Sequence, residues 1–301
     1  MPPSPPDNSF RARLARRDIL AGTFIKTPTL HSTEILGLMG FDFVVIDEEH
    51  SPFDRQATDA ALFAARATGT AGLVRVQSPA PHHLLSVLDC GAAGVLVPHV
   101  ASAALAAQVA AACRYRGGRR GYSGSARAAG YGGGKMWDYV DRADAATTVV
   151  AQIEDPEALD EIDAIAATEG IDALFIGRGD LTAAMGAPTN DAPPIREAVD
   201  RIAAAAKRAG KPVMVFVGGM QEANWLHGIG ASAFVYSSDQ GLMKQAAAKA
   251  LADLRALSPK PDRTYPHDHP SRSGPRPVAD AGRDRPALPQ RAFRHGPRVE
   301  P

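Results

Sequence analysis

The sequence predicts an α/β fold of the (β/α)8, or TIM-barrel, class, and three observations lead to it. Between residues 11 and 257 short apolar runs alternate with longer Ala-rich stretches, the rhythm of strands and helices taking turns. Eight strand-like runs occur in roughly 240 residues, which suits an eight-fold barrel better than a doubly wound sheet of fewer strands. No GxGxxG phosphate turn follows the first run.

The expected strands are 22–26, 41–47, 72–76, 94–98, 148–154, 173–177, 212–217 and 233–237. Most are near-continuous apolar runs, as in strands covered on both faces. Segments 32–39, 81–90, 101–113, 156–168, 194–209 and 241–256 are rich in Ala, Leu, Glu and Arg and read as helices. Residues 1–10 are expected to be a flexible N-terminus and 11–257 one domain. From 258 to 301 Pro, Arg, His and Asp dominate without a period, so this tail is expected to be disordered. The alternative for the tail is a docking or nucleic-acid segment, against which stand its interspersed acidic residues and the lack of aromatic interleaving.

The 301 residues are 45% hydrophobic, enough for one large buried core. Lysine plus arginine equals aspartate plus glutamate at 33 each, so charge gives no reason to expect nucleic acid or an anionic membrane as partner. Cys90 and Cys113 lie in Ala-rich stretches and read as reduced packing residues rather than a disulfide. There is no apolar run of about 18 residues to span a membrane, and no apolar segment follows Arg11, Arg13, Arg16 and Arg17 as a secretion signal would require. A cytoplasmic protein acting on a small molecule is the expectation.

Catalytic groups of such a barrel are built from residues at the C-terminal ends of its strands. After the second run comes Asp47-Glu48-Glu49-His50-Ser51-Pro52, within the third lies Arg75, the fifth ends in Gln152-Ile153-Glu154-Asp155 and the sixth in Gly177-Arg178-Gly179-Asp180. Glu154 and Asp180 end neighbouring strands, and two carboxylates with open positions suit a hard divalent ion. The plainer reading is that they cap helices starting at Pro156 and Leu181. Arg75 interrupts an apolar strand, so it needs either a carboxylate partner or a polar cavity. His50 is a candidate base among acidic neighbours, or simply an exposed loop histidine. Lys26 is the one lysine placed for an imine, and the sixth and seventh strands lack one, which favours metal assistance over a Schiff base. The glycine-rich loop 121–134 reads equally as a flexible surface loop and as a lid.

Phe41 to Pro52, Leu88-Asp89-Cys90-Gly91, Val97-Pro98, Arg119-Arg120-Gly121, Gln152-Ile153-Glu154 and Phe175 to Leu181, in that order and spacing, resemble the HpcH/HpaI aldolase family over residues 22–257. The resemblance implies a barrel of the phosphoenolpyruvate/pyruvate-domain type and a class II aldolase of aromatic or sugar-acid catabolism, dependent on Mg2+, Mn2+ or Co2+. Its substrates would be a 2-oxo acid and an aldehyde. It further implies that Glu154 and Asp180 hold the metal, that Arg75 stabilises an enolate, and that Gln152, Gly179 and Asp180 join Arg75 in binding substrate. A His50–Asp89 dyad would move the proton, and the chain would form a homo-oligomer, a hexamer built as a trimer of dimers with its last helix exchanged. No other cofactor is implied. The sequence departs from the family's usual pattern at Glu48 and at Arg178-Gly179. Two rivals remain: a lyase acting on a CoA thioester, for which the only basic cluster is Arg114, Arg116, Arg119 and Arg120, and a catalytically silent barrel used as a scaffold.

Overall fold

The computed structural model describes residues 8–257, and the expectations for residues 1–7 and for the 258–301 tail lie outside the described residues. Eight parallel strands, β1 (Leu20–Ile25), β2 (Phe43–Asp47), β3 (Ala71–Arg75), β4 (Gly94–Val97), β5 (Thr148–Ile153), β6 (Ala173–Ile176), β7 (Val213–Val217) and β8 (Ala231–Ser238), close into a barrel in sequence order. Pairing of β8 with β1 completes the ring and abolishes its edges. Each expected strand is present, displaced at its ends by at most two residues.

The helices are α1 (Phe10–Ala15), α2 (Leu30–Leu38), α3 (Arg55–Thr68), α4 (Pro81–Asp89), α5 (Ala103–Cys113), α6 (Met136–Ala146), α7 (Ile162–Ala167), α8 (Arg178–Ala184), α9 (Pro193–Arg208), α10 (Met220–Gly228) and α11 (Asp239–Leu257). The single helix expected over 156–168 is instead a 3-10 turn, Pro156–Leu159, followed by α7. Glu161 breaks it at φ −108°, ψ 12°. Its carboxylate is committed elsewhere, accepting the Ala103 amide in the first turn of α5 at 2.9 Å. No helix among the described residues is long and apolar enough to cross a membrane. Cys90 and Cys113 are free, buried thiols.

The two-residue period of the strands sorts their side chains into two cores. Phe43, Val45, Leu73, Leu96, Val150, Phe175, Met214 and Val235 fill the barrel, while Val44, Ile46, Val74, Val95, Val97, Leu174 and Val215 face the helices. Phe10 and Leu14 of α1 plug the barrel floor, with the Phe10 and Phe43 rings 5.1 Å apart. Room for the Phe43 ring depends on Gly22, where a Cβ would lie 2.3 Å from it. At the opposite end from the mouth, Asp172 serves stability: it accepts Arg11 Nε at 2.9 Å, Arg114 Nη2 at 2.9 Å and the Val149 amide at 2.8 Å.

The same parity carries function. Residues on the inward set of Phe43, Val45, Leu73 and Val150 are followed, two steps at a time, by Asp47, Arg75, Gln152 and Glu154 at the C-terminal ends. Whatever the apolar layers leave open at the mouth, these side chains fill.

Candidate active site

Asp47 and Arg75 are direct partners in the β2–β3 register, so their inward side chains meet. Arg75 Nε and Nη2 donate to the two oxygens of Asp47 at 2.9 and 2.8 Å, and Nη1 lies 3.2 Å from Glu49 Oε2. The guanidinium also rests over the Phe24 ring, 4.8 Å from its centroid. Lys26, just beyond β1, adds its ammonium to Asp47 at 3.1 Å. Burial pushes the Asp47 carboxyl up, but the bonds and charge of Arg75, with Lys26 behind them, outweigh it and hold Asp47 below its ordinary range. Both readings of Arg75 therefore hold at once: it has its carboxylate partners, and it lines a cavity of about 360 Å3 at the barrel mouth together with Lys26, Gln152, Gly177, Gly179 and Asp180.

Glu154 is buried at the end of β5. Its Oε1 accepts the His99 amide at 2.9 Å and its Oε2 accepts Gln152 Nε2. Desolvation, with the nearby charge of Asp180 adding to it, pushes the Glu154 carboxyl up to about 7. Close approach of β6 is possible because Gly177 has no side chain, since a Cβ there would sit 2.6 Å from Glu154 Cβ. Neither carboxylate makes a capping hydrogen bond, although Asp180 does stand in the first turn of a helix. Glu154 bonds to His99 and Gln152, and α8 starts at Arg178, which puts the exposed Asp180 inside the first turn with Gly177 at the cap.

His50 presents an exposed ring whose Nε2 is 3.8 Å from Glu49 Oε2, and its amide donates to Asp47 Oδ1 at 3.2 Å. Asp89 is elsewhere. It ends α4, accepts Arg120 Nη2 at 3.3 Å and lines a separate cavity of about 630 Å3 beneath Ser123, Arg127 and Tyr131. Within the single chain the implied His50–Asp89 dyad is not assembled, because helix α4 directs Asp89 toward the 121–131 loop rather than the mouth. Glu48 turns away from the site as well, taking a hydrogen bond from Thr58 Oγ1 of α3 at 2.6 Å, and burial raises its carboxyl. Arg178 is buried against α10, where it pairs with Glu222, donates to the Phe216 carbonyl at 3.1 Å and stacks on Trp225.

Two residues at the mouth, Glu49 and His99, were given no role from sequence. Glu49, raised by burial against the pull of Arg75, bridges the two histidines. His99 follows β4, with Nε2 3.6 Å from Glu49 Oε1 and Nδ1 3.1 Å from Asp155 Oδ1. Burial lowers its pKa, but the Asp155 bond and the charges of Glu154, Asp155 and Glu49 outweigh that and raise it. The rule that found Arg75 and Glu154, a polar residue at a strand's C-terminal end, applies equally to Pro98-His99.

Glu154 is buried beside Asp180, its hydrogen-bond donors are an amide and a carboxamide, and the one imidazole near it, His99 with Nδ1 at 3.5 Å, is shared with Asp155 and Glu49, a surplus of negative charge that fits a divalent ion. Among the described residues, Glu49, His99 and Glu154 offer ligand atoms that all lie within 4.8 Å of one another. Fold and site together define a barrel enzyme whose mouth combines carboxylate and imidazole groups with a buried guanidinium. The model of the HpcH/HpaI aldolase/citrate lyase family matches residues 20–243. The 5-keto-4-deoxy-D-glucarate aldolase of Klebsiella pneumoniae is 37% identical over 248 residues, 82% of this chain and 96% of that one. A crystal structure of a HpcH/HpaI aldolase/citrate lyase family protein from Burkholderia cenocepacia superposes with a TM-score of 0.77 at 31% identity, covering 81% of this chain and 98% of the other. The chain belongs to the HpcH/HpaI aldolase/citrate lyase family and is a carbon–carbon lyase.

The neighbours Glu48 and Glu49 should separate in mutagenesis. Glu48→Gln keeps an acceptor for Thr58 and should change kcat/KM less than about twofold, whereas Glu49→Gln, which strips charge from between Arg75 and both histidines, should lower it about tenfold or more. Equal effects in steady-state kinetics would mean that the loop after β2 is placed differently.

Proposed function

We propose that this chain is a divalent-metal-dependent aldolase that reversibly cleaves a 4-hydroxy-2-oxo acid, of the size and polarity of 5-keto-4-deoxy-D-glucarate, into pyruvate or a related 2-oxo acid and an aldehyde. The observation that carries the reading is the buried Glu154 carboxylate, raised by burial and by the charge of Asp180, in the same mouth as the Arg75 guanidinium. Glu154 and Asp180 would hold the ion, and Gln152 and Gly179 would line the bound 2-oxo acid. When bound, a Mg2+, Mn2+ or Co2+ ion supplies Lewis acidity to the carboxylate and 2-oxo oxygens of the substrate.

The protein's own groups do the rest. A guanidinium has five N–H donors. Two are spent on Asp47 and one faces Glu49, which leaves two for the oxygen that gains charge as the carbon–carbon bond breaks. Because Asp47 and Glu49 hold Arg75 in place beforehand, little reorganisation is needed as that charge develops. His50 takes the proton of the 4-hydroxyl directly or through a water, the C3–C4 bond breaks, the aldehyde leaves, and C3 of the pyruvate enolate then takes up a proton. Glu49 is the carboxylate that attends His50 in the single chain, with Asp89 reserved for the 121–131 side. A location in the cytoplasm goes with this reading.

The assay is pyruvate release from 5-keto-4-deoxy-D-glucarate and shorter 4-hydroxy-2-oxo acids, with chelator-treated protein and each ion restored. Release should require an ion, and Arg75→Ala should lower kcat/KM by about a thousandfold. No pyruvate from any of these with any ion would contradict the proposal and favour a CoA thioester as substrate.

We also propose that the chain works as a homo-oligomer, a hexamer arranged as a trimer of dimers with α11 exchanged. Helix α11 buries only Asp239 and exposes Met243, Leu251 and Leu254, apolar surface that a partner would cover. Sedimentation should give a multiple of 31.6 kDa, and a monomer at micromolar concentration would oppose the assembly.

A further inference from the structure

We propose that Lys26 anchors a carboxylate at the far end of the substrate, so that the aldehyde released or accepted at this mouth is an acidic one in preference to a neutral one. The inference rests on the aldolase reading above and deepens it, by naming the residue that chooses the aldehyde. The reaction outlined there gives Lys26 no task.

The inward set of β1 runs through Leu20 and Phe24 to Lys26, one residue beyond the end of the strand. The backbone there is clamped. The Lys26 and Thr27 amides donate to the two oxygens of the buried Asp239, at the start of α11, at 2.8 and 3.1 Å. The lysine stem therefore leaves from a fixed point. It lines the mouth cavity and ends with Nζ 5.9 Å from the Phe24 ring centroid and 3.1 Å from Asp47 Oδ2.

The plainer account has Lys26 do no more than neutralise Asp47. That carboxylate is already served, since Arg75 donates to both of its oxygens and the His50 amide donates to Oδ1. An ammonium carries three N–H donors, and contact with one carboxylate oxygen occupies one of them. Three cationic side chains line the cavity. Arg75 is buried between Asp47 and Glu49, and Arg178 is buried and paired with Glu222. The Lys26 side chain stays 28% exposed, which leaves its ammonium the most accessible positive charge of the three.

Placement around the ring says which part of the substrate meets it. In the closed order β1 lies beside β2 and across from β5. With the 2-oxo acid end at Glu154 and Asp180, and the 4-hydroxyl at His50 after β2, the remainder of the chain runs toward β1. Asn190 and Ser238 line the same cavity and offer hydrogen bonds to hydroxyls along that path. One ammonium matches the single charge of a carboxylate, and a charge-assisted hydrogen bond there favours an acidic aldehyde over a neutral one.

The test is aldol synthesis by the full-length protein from pyruvate, with a divalent ion supplied. Succinate semialdehyde is compared with butanal, which has the same carbon chain but ends in a methyl group. Wild type should favour the acid by about tenfold or more in kcat/KM, and added salt should shrink that preference. Lys26→Met keeps the stem and removes the charge. It should cut the ratio about tenfold, mainly through KM for the acid, and Lys26→Arg should restore most of it. Any lost support for Asp47 would slow both aldehydes together and cancel in the ratio. Should a thermal melt show that Lys26→Met does not fold, the wild-type preference decides, and a preference insensitive to salt counts against Lys26. An unchanged ratio in Lys26→Met, or no preference in the wild type, would overturn the role of Lys26 and leave the aldolase reading intact. If the wild type joins pyruvate to neither aldehyde with any ion, both fall.

Discussion

A guanidinium in the interior of a parallel barrel must have carboxylate beside it, and the pairing of Arg75 with Asp47 sets the layout of the whole mouth. Parity puts both side chains inward, and the β2–β3 register puts them side by side. The pair then holds the loop after β2, because Asp47 also accepts the His50 amide and Glu49 lies against Arg75 Nη1. Removing either partner would strand a buried charge, a change that costs about 3–5 kcal/mol in comparable sites. Lys26 and the Phe24 ring close the cradle from β1. One fixed positive charge is thus offered to the cavity at no cost in reorganisation.

The β4–β6 side of the mouth has the reverse imbalance. Glu154, Asp155 and Glu49 gather around His99, the charge of Asp180 bears on Glu154, and the hydrogen-bond donors of the buried Glu154 are neutral. A cation belongs there physically, just as an anion belongs beside Arg75. A 2-oxo acid presents what joins the two: oxygens for a metal and an oxygen that becomes charged when the adjacent carbon–carbon bond breaks.

Much of this was legible in the sequence for a stated reason. Near-continuous apolar runs such as 72–76 and 173–177 mark strands buried on both faces, and the polar residues that end them mark the mouth. Arg75, Glu154, Asp180 and His50 follow from that rule alone. What stayed hidden depends on tertiary placement. That Asp47 is the partner of Arg75 is a matter of register, and that Glu49 rather than Glu48 faces the site is decided by how the chain turns after β2. His99 satisfies the same strand-end rule, but what it meets there is decided only when β5 brings Glu154 and Asp155 alongside. The break before α7 arises from Glu161 capping a different helix, α5, which no local propensity reports. The separation of His50 from Asp89 likewise reflects the path of α4 and the 121–131 loop.

The central claim is that this mouth stabilises the enolate of a 2-oxo acid. It is tested most directly by following the methyl protons of pyruvate in heavy water by NMR, with no aldehyde present. The account predicts exchange that requires a divalent ion and is lost in both Arg75→Ala and His50→Ala. Absence of exchange with every ion, or exchange at the wild-type rate in Arg75→Ala, would contradict it.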